Sequence, residues 1–402
     1  MKPWPLADTI SAAIIRPHEG EALVPAWTDL AHRAIEPNGF FGPGPTLAAF
    51  RHLPEGRGAR LLVAWRGEGE TRRLVGLLPL AKARGRYLNP LPIWRAAACY
   101  GTVSTPLVDP DRPAETISAM LTALRAAGTH ALLLPYLPED GPVADALREA
   151  GRLDARPVLA FAGHGRAFLQ SPLAGAEYVR ATLEPRRRKE ADRQRRRLAE
   201  LGRLETAIAT GADLAADLDA FLALEAAGWK GRAGTALSLS AGGTDFVRDL
   251  VERGARDGSV RIATLRLDGR VIAAGLVLIG GRRAFYAKTS YDEDLARFSP
   301  GLLLTLDLTA HLLDDPTIDD ADSIAVADHP MIDRIWTGRL AIATTLAATR
   351  RDGGVAFRMA AGFERMREDA VALAKQRITQ FRASRKAVAK HEAGKAAAPP
   401  SP

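Results

Sequence analysis

AKTSYDEDLARFSPGLLL, residues 287–304, decides the fold. It opens as the end of a strand, passes through an acidic loop that carries Tyr291, and closes on a run of leucines. Ser299 suits a helix N-cap, because its hydroxyl can accept from an unpaired backbone N–H. Pro300 suits the first helical position, where no N–H is needed. Gly301 adds no side chain, so a ligand can approach the backbone. The pattern predicts a helix from about Ser299 to Leu313 whose positive end is a seat for an anion such as phosphate. Leu302, Leu303, Leu304, Leu306 and Leu308 anchor that helix on a sheet.

The sheet is read from what lies upstream. Residues 259–291 hold three apolar runs separated by Asp268-Gly269 and Gly280-Gly281. Asp-Gly is a strong hairpin signal, since both residues tolerate positive φ. Helices are expected at 185–201 and 214–227, and a further strand near DSIAVAD, 322–328. The first half follows the same order. A β-hairpin covers 59–81, a strand lies near 94–101, and a helix carries Ile117, Met120, Leu121 and Leu124 on one face up to Gly128. A buried strand at 129–137 and a short helix complete it. Each half is an antiparallel meander, a helix and another strand, an order that suggests internal duplication. The expected fold is α/β (α+β), with domains at 1–165 and 166–362 and a basic tail at 363–402.

The chain has 402 residues, 47% hydrophobic and 25% charged, enough for more than one core. The net charge of +8 and a pI near 9.8 favour anionic partners without choosing among them. The single cysteine, Cys99, excludes an internal disulfide and suits a core strand. No stretch reaches the roughly 20 apolar residues of a membrane helix, and no signal-peptide core opens the chain, so a cytoplasmic protein is expected. In the tail, Val371, Ala374, Ile378, Phe381 and Val388 form an amphipathic face. That face is expected to pack on the body, with contact to an anionic membrane surface as the other reading. Residues 391–402 are expected to be disordered.

Five segments together resemble one family: EPRRRKEADRQRRRLAELG (184–202), GWKGRAGTAL (228–237), LDGRVIAAGLVL (267–278), KTSYDEDLARFSPGLLL (288–304) and ADHPMIDRIWTGR (327–339). In this order they are similar to the CelD/BcsL, BioF-like branch of the GNAT acyltransferases, associated with cellulose and exopolysaccharide biosynthesis. The resemblance implies two tandem GNAT-like units, as in the Fem-type peptidyltransferases, with the first a degenerate structural or acceptor-binding copy. It implies acetyl-CoA as co-substrate, no metal, and direct transfer to a hydroxyl or amine of a sugar or polysaccharide precursor. Arg297, Ser299, Pro300, Gly301 and Leu302 would hold the coenzyme. Arg297-Phe-Ser-Pro-Gly departs from the usual Gln/Arg-x-x-Gly-x-Gly/Ala phosphate loop, with one glycine in five residues.

Acyl transfer needs a base for the acceptor, a polarised carbonyl and a proton for the departing thiolate. Tyr291 is the candidate proton donor. Asp292, or His329 next to Asp328, is the candidate base, with Glu293 read as a solvated loop residue. Lys230, Tyr286, Lys288 and Asp322 are candidates for binding substrate, Tyr286 and Lys288 on one face of a strand. Trp229 is expected to pack at a helix stop, and a capping turn before Pro330 is the structural alternative for His329. The arginine-rich helix after Pro185 is solvent-facing and could meet the 3′-phosphate of the coenzyme, an anionic acceptor or RNA. Its lack of interleaved aromatics argues against base stacking on nucleic acid. Two further functions stand beside the first: Fem-like transfer from aminoacyl-tRNA, and a non-catalytic scaffold that binds anionic polymer or membrane.

Overall fold

The computed structural model describes residues 9–69, 72–83, 92–97, 101 and 103–396. Among these, thirteen strands form one sheet. They are β1 (Ile10–Ile15), β2 (Arg60–Arg66), β3 (Arg73–Lys82), β4 (Ile93–Ala96), β5 (Leu107–Val108), β6 (Ala131–Pro138), β7 (Val158–Leu169), β8 (Leu204–Ala209), β9 (Val260–Leu267), β10 (Arg270–Gly280), β11 (Arg283–Tyr291), β12 (Asp320–Asp322) and β13 (Gly338–Ala348). The order across the sheet is β1-β2-β3-β4-β6-β13-β7-β12-β11-β10-β9-β8, and β5 pairs β3.

Both halves have the expected plan. β1 to β4 and β8 to β11 are antiparallel meanders, and each ends in a short parallel ladder. Those ladders are β4 with β6 and β11 with β12, three residue pairs in each. A helix makes each crossover: Pro113–Ala126 in the first half and Pro300–Asp314 in the second. Ile117, Met120, Leu121 and Leu124 are buried as the periodicity predicts. Asp268 and Gly269 both take positive φ, 49° and 79°, as a tight hairpin requires.

The two halves interlock. β13, from the end of the chain, lies between β6 and β7. β7 in turn pairs β12 of the second half and runs across the expected boundary at 165/166. One core cluster takes residues from both halves, with Phe40 set edge-on to Phe285 at 5.8 Å. A second core lies on the other face of the second half, under the leucine-rich helix Pro300–Asp314.

Three expectations change. The strand expected at 322–328 is observed at 320–322, and Ile324 at φ 54° ends any extension. Upstream of the first hairpin lie helices Val24–Arg33 and Pro43–His52. The C-terminal helix is one element, Gly354–Ala396, so residues 391–396 are helical. Among its described residues Phe357, Ala360, Ala361 and Glu364 are buried on the body, and Phe363 packs against the same cluster. Val371 and Ala374 are exposed, so the described part of that face is not buried as expected. Glu368 reaches the body at the rim, accepting from the Ala162 N–H at 2.9 Å. The side chains of Ile378, Phe381 and Val388, residue Cys99 and residues 397–402 lie outside the described residues. No described helix is long and apolar enough to cross a membrane.

Candidate active site

The parallel ladder between β11 and β12 ends at Phe285 and Asp322. Beyond it the chains part, and a cavity of about 480 Å³ opens between Ala287–Thr289 on one side and Ser323–Ala325 on the other. A cleft at the carboxyl ends of diverging strands is a common ligand position. Its walls bring together eight of the candidates: Lys230, Tyr286, Lys288, Tyr291, Ser299, Gly301, Leu302 and His329.

The helix start forms one wall, with Pro300 at the first position. Ser299 precedes it in the left-handed conformation, φ 52°, and its hydroxyl makes no capping bond. Its carbonyl does the work instead, accepting from Leu302 N at 3.0 Å and Leu303 N at 3.1 Å. The expected row of open N–H groups is therefore narrower, because a left-handed Ser299 turns its carbonyl onto the first turn. Pro300 has no N–H, so Gly301 supplies the first of the helix. A Cβ on Gly301 would meet the Tyr291 ring at 3.1 Å, so the glycine also seats Tyr291.

β11 carries the opposite wall, and a bulge changes its facing. Lys288 pairs with Leu276 but Tyr286 pairs with Val277, which leaves Ala287 as the extra residue. One extra residue reverses the alternation of faces. Tyr286 and Lys288 consequently lie on opposite faces, contrary to expectation. Tyr286 enters the second core, with its hydroxyl 3.2 Å from Thr305 Oγ1. Burial pushes its phenol up. Lys288 turns to the other face, where its Nζ lies 2.5 Å from Glu225 Oε1.

Glu225 was not singled out from sequence, although it sits on the apolar stripe of helix Leu214–Ala227 with Leu218, Phe221 and Leu222. A lone carboxylate on such a stripe is the signal that could have found it. It is 1% exposed, and Oε2 accepts from Leu237 N at 2.8 Å. Lys230 Nζ stands 3.9 Å from Oε1 and donates to the Thr289 carbonyl at 2.6 Å. Burial pulls Lys230 down to about 8, with Glu225 opposing the shift and Lys288 adding to it. Two lysines thus share one buried carboxylate at the cavity wall.

Trp229 does not pack as expected. It is 53% exposed at the cavity edge, and its backbone N–H donates to Glu293 Oε1 at 2.5 Å. Glu293 also binds Arg232 at 2.5 Å, which keeps its carboxyl below the usual range and pins the loop. His329 Nδ1 accepts from Met331 N at 3.3 Å and Ile332 N at 3.4 Å, the capping turn of the alternative reading. With Nδ1 accepting, the neutral ring carries its proton on Nε2 and is a donor. That geometry corrects the expectation of His329 as base.

Four candidates stand outside the cavity lining. Asp292 caps Asp294 N at 3.0 Å and pairs with Arg270 at 2.7 Å. Arg297 lies over the Phe298 ring, 4.7 Å from its centroid. Pro300 is buried at the helix start. Asp322 is fully buried in an ion pair with Arg166 of β7, and its Oδ1 accepts from Ile324 N at 2.9 Å. Asp322 therefore fixes the floor of the splay rather than facing a ligand. On helix Pro185–Ala199, Arg186, Lys189 and Arg197 are exposed, while Arg195 holds Asp307 at 2.5 Å.

Residues 185–323 match the family model described as an acetyltransferase (GNAT) domain, a span that includes most of this cavity. The chain is similar in fold to the C-terminal DUF2156 domain of an Agrobacterium fabrum protein designated a lysylphosphatidylglycerol synthetase. The TM-score is 0.50 and the identity 13%, over 88% of this chain and 96% of that one. It is equally similar to FemX, with a TM-score of 0.50 and 11% identity over 81% and 95%. A tandem GNAT protein from the clavulanic acid biosynthesis pathway aligns at TM-score 0.39 and 17% identity over 85% and 99%. No curated protein matches the sequence significantly.

Proposed function

We propose that this chain, a GNAT-fold acyltransferase, moves an acyl group directly from a coenzyme A thioester to a hydroxyl or amine of a sugar or polysaccharide precursor, as its resemblance to the CelD/BcsL branch implies. Acetyl is the simplest acyl group. The observation that carries this reading is the single cavity in which the start of helix Pro300–Asp314 meets Lys230, Tyr291 and His329. Gly301 and Leu302 line it at the positive end of the helix, where phosphate is favoured.

In the proposed reaction the acceptor oxygen or nitrogen attacks the thioester carbonyl. A C–O or C–N bond forms and the C–S bond breaks. Burial pulls Lys230 down to about 8, and its neutral amine takes the acceptor's proton. His329 Nε2–H donates to the carbonyl oxygen as negative charge develops there. The Tyr291 hydroxyl gives a proton to the departing thiolate. Glu225 and Asp322 are positioning residues, one for the lysines and one for the splay.

The test is transfer of labelled acetyl from acetyl-CoA to a panel of amino sugars and neutral oligosaccharides, read by mass spectrometry. Labelled product from wild type, lost in Lys230→Ala, is expected. Product formed equally by both would remove Lys230 from the mechanism.

A Fem-like transfer from aminoacyl-tRNA is the second reading. The exposed arginines of helix Pro185–Ala199, which packs beside the loop 293–298, favour it. It requires tRNA affinity that falls steeply with salt and weakens in Arg186→Gln/Lys189→Gln/Arg197→Gln. The coenzyme reading requires no such affinity.

A further inference from the structure

The first half has a cavity at the position equivalent to the active-site splay. The ladder of β4 with β6 ends at Arg95 and Leu133, as that of β11 with β12 ends at Phe285 and Asp322. Just past that end a cavity of about 610 Å³ opens, roofed by helix Gly354–Ala396. Its walls include Arg95, Tyr136 and His164 from the sheet and Glu364, Arg367 and Glu368 from the helix.

The backbone is shaped at this point. Where β13 passes between its neighbours, the register slips on both sides. Pro135 and Tyr136 of β6 are extra against Thr344, and Ala162 and Gly163 of β7 are extra against Ala343. These bulged residues line the cavity. Tyr136 and Ala162 hold positive φ, 57° and 53°, conformations that cost non-glycine residues energy. The active-site splay has the same signature, a bulge at Ala287 and Ile324 at φ 54°. Tyr136 stands 39% exposed at this cavity instead of entering the core.

The polar groups are of both signs. Arg95 and Arg367 balance Glu364 and Glu368. His164 Nδ1 lies 3.2 Å from the Ala162 carbonyl, which makes it the donor there and leaves Nε2 to accept. A phosphate or polyanion would find no net positive charge, whereas the active-site wall has two lysines to one glutamate. An exposed aromatic face amid charge-balanced donors and acceptors matches a polyhydroxylated, uncharged ligand.

We infer that this cavity is a second ligand site, for a neutral saccharide. The inference does not rest on the acyl-transfer reading, and its test contains no acyl donor. Saturation-transfer NMR on the full chain is run with cellotetraose and maltotetraose, and with glucose 6-phosphate as the anionic comparison. Binding of a neutral tetrasaccharide is expected, weakened about ten-fold by loss of the aromatic face in Tyr136→Gly. Glycine suits the positive φ, so that variant keeps the backbone. Arg367→Gln, on the half-exposed helix surface, weakens binding independently of Tyr136. Lys230→Met, at the other cavity, leaves it unchanged. Absence of binding by either tetrasaccharide overturns the inference. So does binding that survives both Tyr136→Gly and Arg367→Gln, that is lost in Lys230→Met, or that is tighter for glucose 6-phosphate.

Discussion

Lys288 Nζ lies 2.5 Å from Glu225 Oε1, and the carboxylate is sealed from water between helix Leu214–Ala227 and β11. This pair joins the helix to the bulged strand that shapes the cavity. Removing one member of a buried pair strands the other charge, at a cost of about 3–5 kcal/mol. Glu225→Ala also leaves the Leu237 N–H without its acceptor. Urea unfolding should show that loss as a lower midpoint with an unchanged slope. Glu225→Gln, which keeps an acceptor for Leu237, should lose less.

Lys230 gives a pH-dependent prediction. Burial lowers it from 10.5 to about 8. Between pH 8 and 10.5 the unfolded chain holds a proton that the folded chain has released, so stability from this group rises with pH across that window. Below pH 8 the folded state carries the cost of the buried charge. Lys230→Met loses the bond to Thr289 yet should raise stability near neutral pH by on the order of 1–2 kcal/mol, a gain that fades towards pH 10.5. The same variant should lose transfer activity. Thermal melts from about pH 6.5 to 10.5 check the sign.

Arg166 and Asp322 tie β7 to β12, and so the first half to the second. Asp322→Ala should destabilise by about 3–5 kcal/mol, while Arg166→Met/Asp322→Leu recovers most of that loss. With β13 between β6 and β7, the full chain should unfold in one transition, as coincident melts by fluorescence and circular dichroism would show.

His329→Asn keeps a side-chain oxygen for the backbone of 331–332 but removes the Nε2–H. If that N–H serves the developing oxyanion, kcat should fall about 100-fold with little change in melting temperature. An unaltered kcat would leave His329 as a cap alone.

Much of this fold was legible in the sequence, and the reasons are local. Asp268-Gly269 announces its hairpin, Ser-Pro-Gly its helix start, and Ile117 to Leu124 their buried face. β7 and β13 escaped because their partners come from the opposite half of the chain, a pairing that no local pattern encodes. The bulge at Ala287 was hidden for a related reason: no glycine or proline marks it, yet it sends Tyr286 and Lys288 to different faces. Ser299 was placed correctly at the helix start, but its left-handed backbone replaces the expected hydroxyl cap with a carbonyl. Glu225 was overlooked because its partners, Lys230 and Lys288, are distant in sequence and converge only in the folded sheet.

The central claim is that the splay between β11 and β12 receives the acyl donor, and calorimetric titration with acetyl-CoA tests it most directly. Ala325 lines the cavity, so Ala325→Trp fills it while Lys230, Tyr291 and His329 themselves are kept. The account predicts saturable binding by the wild-type chain, lost in Ala325→Trp and retained in Tyr136→Gly. Binding that Ala325→Trp leaves intact, or no binding by the wild-type chain, would contradict it.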